Sequence, residues 1–371
     1  MEAVKPAEDM RPDRVRPVPV AGIMDVPPYI QGASGAEGVA DPIKLSSNEN
    51  PYGPGDRVKD AIRGAVDDIH LYPESNASAL AEALADFWHL PVDRIVTSTG
   101  SDSILPYLMR AYLDRGDEGL FFTDAFPKFR TYAIGQGSVP VEVPRDKDAD
   151  YVVEPAAVAA AITHRTRMVY IDNPGNPTGV VIPPDTIRAI HTLLPPDVML
   201  VLDEAYAEFS DIGDSGLQLA ATADNVVVQR TFSKAFGLAG LRIGWCVAAP
   251  HIAEAVLKIR PTFPLSLPGI AGALMALEDG ERMWANIAKI RATRATAVAA
   301  LRAAGWRIPE PGGNFMLLRT EGAPMSYDDA MAALLAKGVL VRPMRLHGAE
   351  PAIRITIGTD AQMAPVIDAL T

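Results

Sequence analysis

The sequence predicts an α/β protein: a large domain on a mostly parallel central sheet sandwiched by helices, followed by a smaller α+β domain. Two observations predict it. From about residue 94 to residue 248, short apolar runs alternate with stretches of helical spacing. The runs are unbroken, as strands covered on both faces must be. After Pro268 this rhythm stops, and a long Ala-rich helical stretch gives way to short strands and helices. With 371 residues, 48% of them hydrophobic, the chain can fill both cores.

Residues 1–45 read as an extended arm, rich in Pro and Gly and able to lie on a partner subunit. Residues 46–265 form the large domain and 266–371 the small one. In the large domain, helices are expected at about 56–68 and 77–89, the second with Asn76 as its N-cap. Strands follow at 94–98, 119–123, 139–143, 167–172, 198–203, 226–229 and 242–248. Helices at 102–112, 128–135, 155–162 and 184–193 connect most of them. In the small domain, a helical stretch over 269–304 breaks near Gly280. Strands near 313–319, 339–343 and 352–357 and helices at 326–337 and 360–370 complete it.

Composition narrows the function classes. A net charge of −12 and the lack of a dense Lys/Arg run argue against nucleic acid or an anionic membrane as partner. No apolar run approaches the ~20 residues of a membrane span. The N-terminus lacks the apolar segment of a secretory signal. The one cysteine, Cys246, cannot form an internal disulfide, so a reducing, cytoplasmic location is expected. The six histidines are scattered without metal-ligand spacing, so no metal is expected.

Parallel sheets bind ligands where their strands end, and four features stand at such ends. Gly100-Ser101-Asp102 follows a strand and opens a helix. It reads either as an ordinary cap or as a phosphate cradle at a helix N-terminus. The run Asn173-Pro174-Gly175-Asn176-Pro177-Thr178-Gly179 fixes an irregular backbone and presents the Asn176 amide. Asp203 closes an apolar strand just before Tyr206, as a helix cap or as a carboxylate facing a cationic ring. Finally, Lys234 lies between two apolar strands, with Thr231 and Ser233 before it and Arg242 after it. Its plain reading is a lysine snorkelling to water, and its chemical reading is a nucleophilic amine kept neutral by burial. One cofactor accounts for all four: pyridoxal 5′-phosphate. Its aldehyde takes a lysine, its phosphate an arginine and a helix terminus, and its ring nitrogen an acid.

With SNENPYGP, LYPE, GSD, NPGNPTG, LDEAY, TFSKAFGLAGLRIG and IRITIGT in that order, the chain from about Leu45 to Thr359 resembles a fold-type I aminotransferase. It is similar above all to the histidinol-phosphate aminotransferase group, and the resemblance implies an aspartate aminotransferase-like fold. It also implies roles. Lys234 would carry the cofactor covalently and then move the proton between Cα and C4′. Asp203 would pair with the ring nitrogen, while Asn176 and Tyr206 bond the ring oxygen. Ser101, Thr231, Ser233, Arg242 and the Gly100–Asp102 backbone would hold the phosphate. Tyr72 would reach that phosphate from the second subunit of a homodimer, and Phe126 would stack on the ring. Arg354 would clamp a substrate carboxylate, and Tyr29, Asn50, Asn314, Arg342 and Arg345 would line the substrate pocket. The implied reaction is transfer of an amino group from an amino acid or amino-alcohol phosphate to a 2-oxo acid such as 2-oxoglutarate. Histidinol phosphate and aromatic amino acids are the implied donors. Ser103, where the group carries glutamate, and DAFPKFRTY, where it is richer in tyrosine, depart from the pattern and leave the donor open. A decarboxylase or lyase on the same scaffold, or a non-catalytic protein that binds the cofactor, are the alternatives.

Overall fold

The structure is a computed structural model that describes residues 19–29, 32–35, 39–213, 215–344 and 351–371. The strands are β1 (Ile43–Lys44), β2 (Ile95–Ser98), β3 (Glu118–Phe122), β4 (Val139–Val143), β5 (Thr166–Asp172), β6 (Met199–Asp203), β7 (Val226–Thr231), β8 (Gly244–Val247), β9 (Phe315–Arg319), β10 (Val339–Leu340), β11 (Arg342–Met344) and β12 (Ala352–Thr356). The helices are α1 (Asp56–Gly64), α2 (Ser78–Trp88), α3 (Ile104–Tyr112), α4 (Lys128–Gln136), α5 (Pro155–Ala161), α6 (Pro184–Leu193), α7 (Ser215–Ala220), α8 (Pro250–Ile259), α9 (Leu267–Glu278), α10 (Gly280–Ala303), α11 (Tyr327–Ala336) and α12 (Asp360–Leu370).

Seven strands form one sheet in the order β2-β8-β7-β6-β5-β3-β4. Its pairs are parallel except where β8 meets β2 and β7. The α/β architecture is therefore the expected one, with one reversed strand inside it. β6 and β7 are buried along nearly their whole length, which is why their sequences show no polar alternation. Each fully buried Val or Leu here contributes ~1.5–3 kcal/mol of transfer free energy. The helices supply matching stripes: Leu80, Leu84 and Trp88 of α2, and Ile104, Leu105, Leu108 and Met109 of α3, are buried at helical spacing.

The small sheet is antiparallel, β11-β12-β9. The expected strand over 339–343 is two strands: β10 pairs with β1 and β11 with β12. Pro343, which cannot donate to a ladder, stands on the edge strand β11. β1 thus ties the end of the expected arm to the small sheet's neighbourhood, and Leu45 accepts from the Thr356 N–H at 2.9 Å. The long helical stretch breaks at Asp279, between α9 and α10, as expected. α7 and α8 had no counterpart in the sequence reading. The arm's first 18 residues and Arg345 lie outside the described residues. Among those described, no helix is long and apolar enough to cross a membrane.

Candidate active site

The polar residues expected to work together meet where β2, β5, β6 and β7 end. At one end of this cleft, β2 runs into Gly100 and a short 3-10 turn, Ser101–Ser103, that leads into α3. Gly100 has φ +74°, and a Cβ there would lie 2.5 Å from Arg242 Nη2. Gly244 of β8 is equally constrained, since its Cβ would stand 2.1 Å from the Ser101 nitrogen. The two glycines let the turn, the sheet and Arg242 close on one another. Arg242 Nη1 donates to Ser233 Oγ at 3.1 Å, and Thr231 Oγ1 donates to Ser233 Oγ at 2.9 Å. A helix start, two hydroxyls and a guanidinium thus share one corner, as phosphate binding needs. Ser103 completes the turn by donating to Thr99 O and Gly100 O, at 3.1 and 3.0 Å. Asp102 accepts from Tyr132 Oη at 2.8 Å.

At the other end, Asp203 lies partly exposed at the end of β6. Its Oδ2 accepts from Tyr170 Oη at 2.9 Å and its Oδ1 from the Ala205 N–H at 3.2 Å. Burial of the carboxyl raises its pKa, against the hydrogen bonds from Tyr170, Gln229 and the Ala205 N–H, which lower it. A protonated ring nitrogen beside it would favour the charged form that burial disfavours. Lys234 follows β7, its Nζ 3.2 Å from Asn48 O, 3.3 Å from Ser47 O and 5.5 Å from the centre of the Tyr206 ring. Burial, and after it the charge of Arg354, pull the Lys234 ammonium down to about 8. A neutral amine is therefore available near neutral pH. Tyr206 is buried, and its Oη accepts from Asn48 Nδ2 at 3.0 Å.

Arg354 rises from the middle of β12 and is also buried. Its Nη1 donates to Asn176 Oδ1 at 2.6 Å and its Nη2 to Ser46 O at 3.0 Å, which leaves the Asn176 Nδ2 group as a donor for a ring oxygen. Arg354 Nε is buried without a partner among the described residues. Arg342 stands directly opposite Arg354 in the strand register, so both project from the same face of the small sheet. The Arg342 guanidinium and Lys128 Nζ each lie 5.4 Å from the centre of the Tyr29 ring.

The remaining expected residues take other places. Asn50 donates to Ala235 O at 2.9 Å and accepts from the Tyr52 N–H at 3.0 Å, so its amide braces the lysine turn. Asn314 donates to Asn48 O at 3.1 Å. Phe126 is partly exposed, in the loop between β3 and α4, and its N–H donates to Asp172. Tyr72 is 81% exposed and stacks on Phe263 with ring centres 4.4 Å apart. Sequence reasoning passed over Asn48, which accepts from Thr356 Oγ1 at 3.2 Å while donating to Tyr206. Its place inside the motif SNENPYGP was the available signal.

Together these groups fit pyridoxal 5′-phosphate: an anion corner, a carboxylate at a strand end, a lysine with a depressed pKa, and an amide donor. Comparison with known proteins agrees. The profile of the family described as "Aminotransferase class I and II" matches residues 40–370. The histidinol-phosphate aminotransferase 1 of Caulobacter vibrioides is 41% identical over 357 residues, covering 95% of this chain and 99% of that protein. The histidinol-phosphate aminotransferase of Rhodospirillum centenum is 37% identical over 356 residues, covering 95% of this chain and 98% of that protein. Among solved structures, the histidinol-phosphate aminotransferase of Sinorhizobium meliloti in complex with pyridoxal-5′-phosphate superposes with a TM-score of 0.79 at 29% identity, over 88% of this chain and 89% of that one. The aspartate aminotransferase of Thermus thermophilus with maleate shares the fold, with a TM-score of 0.78 at 24% identity over 90% of this chain and 91% of that one.

Proposed function

The chain belongs to the class I and II aminotransferases, and from that premise we propose that it moves the amino group of histidinol phosphate to a 2-oxo acid such as 2-oxoglutarate. It is an enzyme that depends on pyridoxal 5′-phosphate. When bound, that cofactor supplies an aldehyde that receives the amino group and a cationic ring that accepts electrons from the Cα–H bond. The chain's own groups do the rest. Lys234, neutral above about pH 8, holds the cofactor and then moves the proton between Cα and C4′. Asp203 keeps the ring nitrogen protonated, and Tyr206 and the Asn176 amide hold the ring oxygen. Thr231, Ser233, Arg242 and the turn at Ser101 hold the phosphate.

The observation that carries the choice of donor is the pair Arg354 and Arg342, opposite each other on one sheet face. A 2-oxo dicarboxylate presents two anionic ends, and a phosphorylated amino alcohol presents one phosphate, on the carbon next to the reacting one. Arg354, buried beside Asn176, suits a carboxylate close to the reacting carbon. Arg342, less buried and packed on Tyr29, suits the second carboxylate of the acceptor or the outer oxygens of the phosphate. We also place the enzyme in the cytoplasm as a homodimer with composite sites. Tyr72, Leu71, Ile69 and Val66 are exposed and apolar on one stretch of chain, as a self-complementary interface requires.

A donor screen with 2-oxoglutarate, read as glutamate formed, tests the substrate. Histidinol phosphate should exceed histidinol, phenylalanine and tyrosine in kcat/KM, and Arg342→Ala should erase that advantage mainly through KM. An aromatic amino acid that matches histidinol phosphate would overturn the assignment.

A further inference from the structure

Asp172 closes β5 and pairs in register with Asp203 on β6. It is 3% exposed. One of its oxygens, Oδ2, accepts two backbone N–H groups from two different loops. Asn176, inside NPGNPTG, donates at 2.8 Å, and Phe126, between β3 and α4, donates at 3.2 Å. These loops carry the residues read above as the ring-oxygen donor and the stacking aromatic. The other oxygen, Oδ1, has no partner among the described residues.

Behind Asp172 lies a buried ion pair. Arg145, just past β4, donates through Nε to Asp124 Oδ1 at 2.8 Å and through Nη2 to Asp124 Oδ2. Gly175 leaves room for it, since a Cβ there would come within 2.9 Å of Thr178 Oγ1 and 3.5 Å of Arg145 Nη2. A buried carboxylate with one idle oxygen is costly, and packing alone would be better served by an apolar residue. Burial pushes Asp172 up to about 7, against the pull of Arg145 and the Asn176 N–H, with Asp124 and Asp203 adding to the push. The cost has a return only if both accepted hydrogen bonds matter.

We infer that Asp172 is a positioning residue for the cofactor: it ties the Phe126 loop to the Asn176 loop, fixing the spacing between the face that stacks on the ring and the amide that holds the ring oxygen. This rests on the cofactor reading above. Asp172 acts through its neighbours rather than by touching the ring. A two-acceptor hub at the end of one strand sets two loops with a single side chain.

The test compares full-length Asp172→Ala and Asp172→Asn with the wild type. Readouts are the Kd of the apo-protein for pyridoxal 5′-phosphate, the visible circular dichroism of the bound cofactor, and thermal unfolding of the apo-protein. Asparagine keeps an oxygen that can accept both N–H groups, so it should stay within about threefold of wild type. Alanine should weaken cofactor binding roughly tenfold or more and shrink the visible band. If the alanine variant does not fold, Asp172→Ser replaces it, because its short hydroxyl cannot reach both loops. Unchanged Kd and visible band in a folded Ala or Ser variant would overturn the inference. So would an Asn variant as impaired as Ala, which would place the effect in the charge. A wild-type protein that takes up no pyridoxal 5′-phosphate would instead overturn the cofactor reading itself.

Discussion

At the ring end of the cleft, Tyr206, Asn176 and Arg354 are 6%, 9% and 8% exposed and already hydrogen-bonded to the protein. At the phosphate end, Thr231 and Ser233 are buried, but Arg242 and Tyr72 are exposed and Ser101 and Asp102 are partly exposed. By our proposal the ring end draws its groups from one chain. Its donors are aimed before any cofactor arrives, and such preorganisation lets a site act on charge as it develops. The phosphate end offers groups that an anion, and by our proposal a second subunit, would complete.

Four experiments break or sharpen that contrast. Lys234→Ala should give the largest effect: no absorption band that borohydride bleaches and no transamination. A variant that still turns over at the wild-type rate would remove Lys234 from its role. Asp203→Asn comes next, with turnover down by ~10²-fold, the scale of losing one directed electrostatic contact. A fall of less than about threefold would count against it. Asn48→Ala strips the donor from Tyr206 Oη and the link to Thr356. A lost buried hydrogen bond of ~1–2 kcal/mol should lower kcat about tenfold, with the Kd for the cofactor changed little. If Kd moves instead, the ring end is less independent of cofactor anchoring than described. The smallest effect is one of pH. Burial lowers the Lys234 pKa from its ordinary value to about 8, so the protonated amine predominates below that pH and the neutral one above it. Covalent uptake of the cofactor by the apo-protein should therefore speed up as pH rises through about 8 and then level off. A rate that still climbs steeply above pH 9, as for an ordinary lysine, would refute the depressed pKa.

Much of the fold was legible because buried strands need unbroken apolar runs, and β5, β6 and β7 have them. The direction of β8 was not, because Gly244–Val247 is as apolar as its parallel neighbours and nothing local distinguishes the two senses. β1 and β10 are two residues each, too short for a pattern to register. α8 was readable, with Pro250 in its first turn and Ile252, Ala253 and Val256 buried at helical spacing, and was passed over. In the site, Lys234, Asp203 and Arg242 stood out because charge beside apolar strands is expensive. Asn48 and Asp172 did not. Asn48 looks like any polar loop residue until Thr356, 308 positions away, comes to meet it. Asp172 ends its strand as Asp203 does, but its use lies in backbone N–H groups that a sequence does not display.

Subunit exchange tests the contrast between the two ends most directly. Tyr72→Arg and Lys234→Ala, each inactive and folded, are mixed and allowed to exchange. If Tyr72 completes the phosphate end of its neighbour's cleft, a mixed dimer gathers both lesions in one site and leaves the other intact. Activity should then return toward half that of one wild-type dimer. No recovery after proven exchange would place Tyr72 in its own chain's site and contradict the account of an end that one chain leaves open.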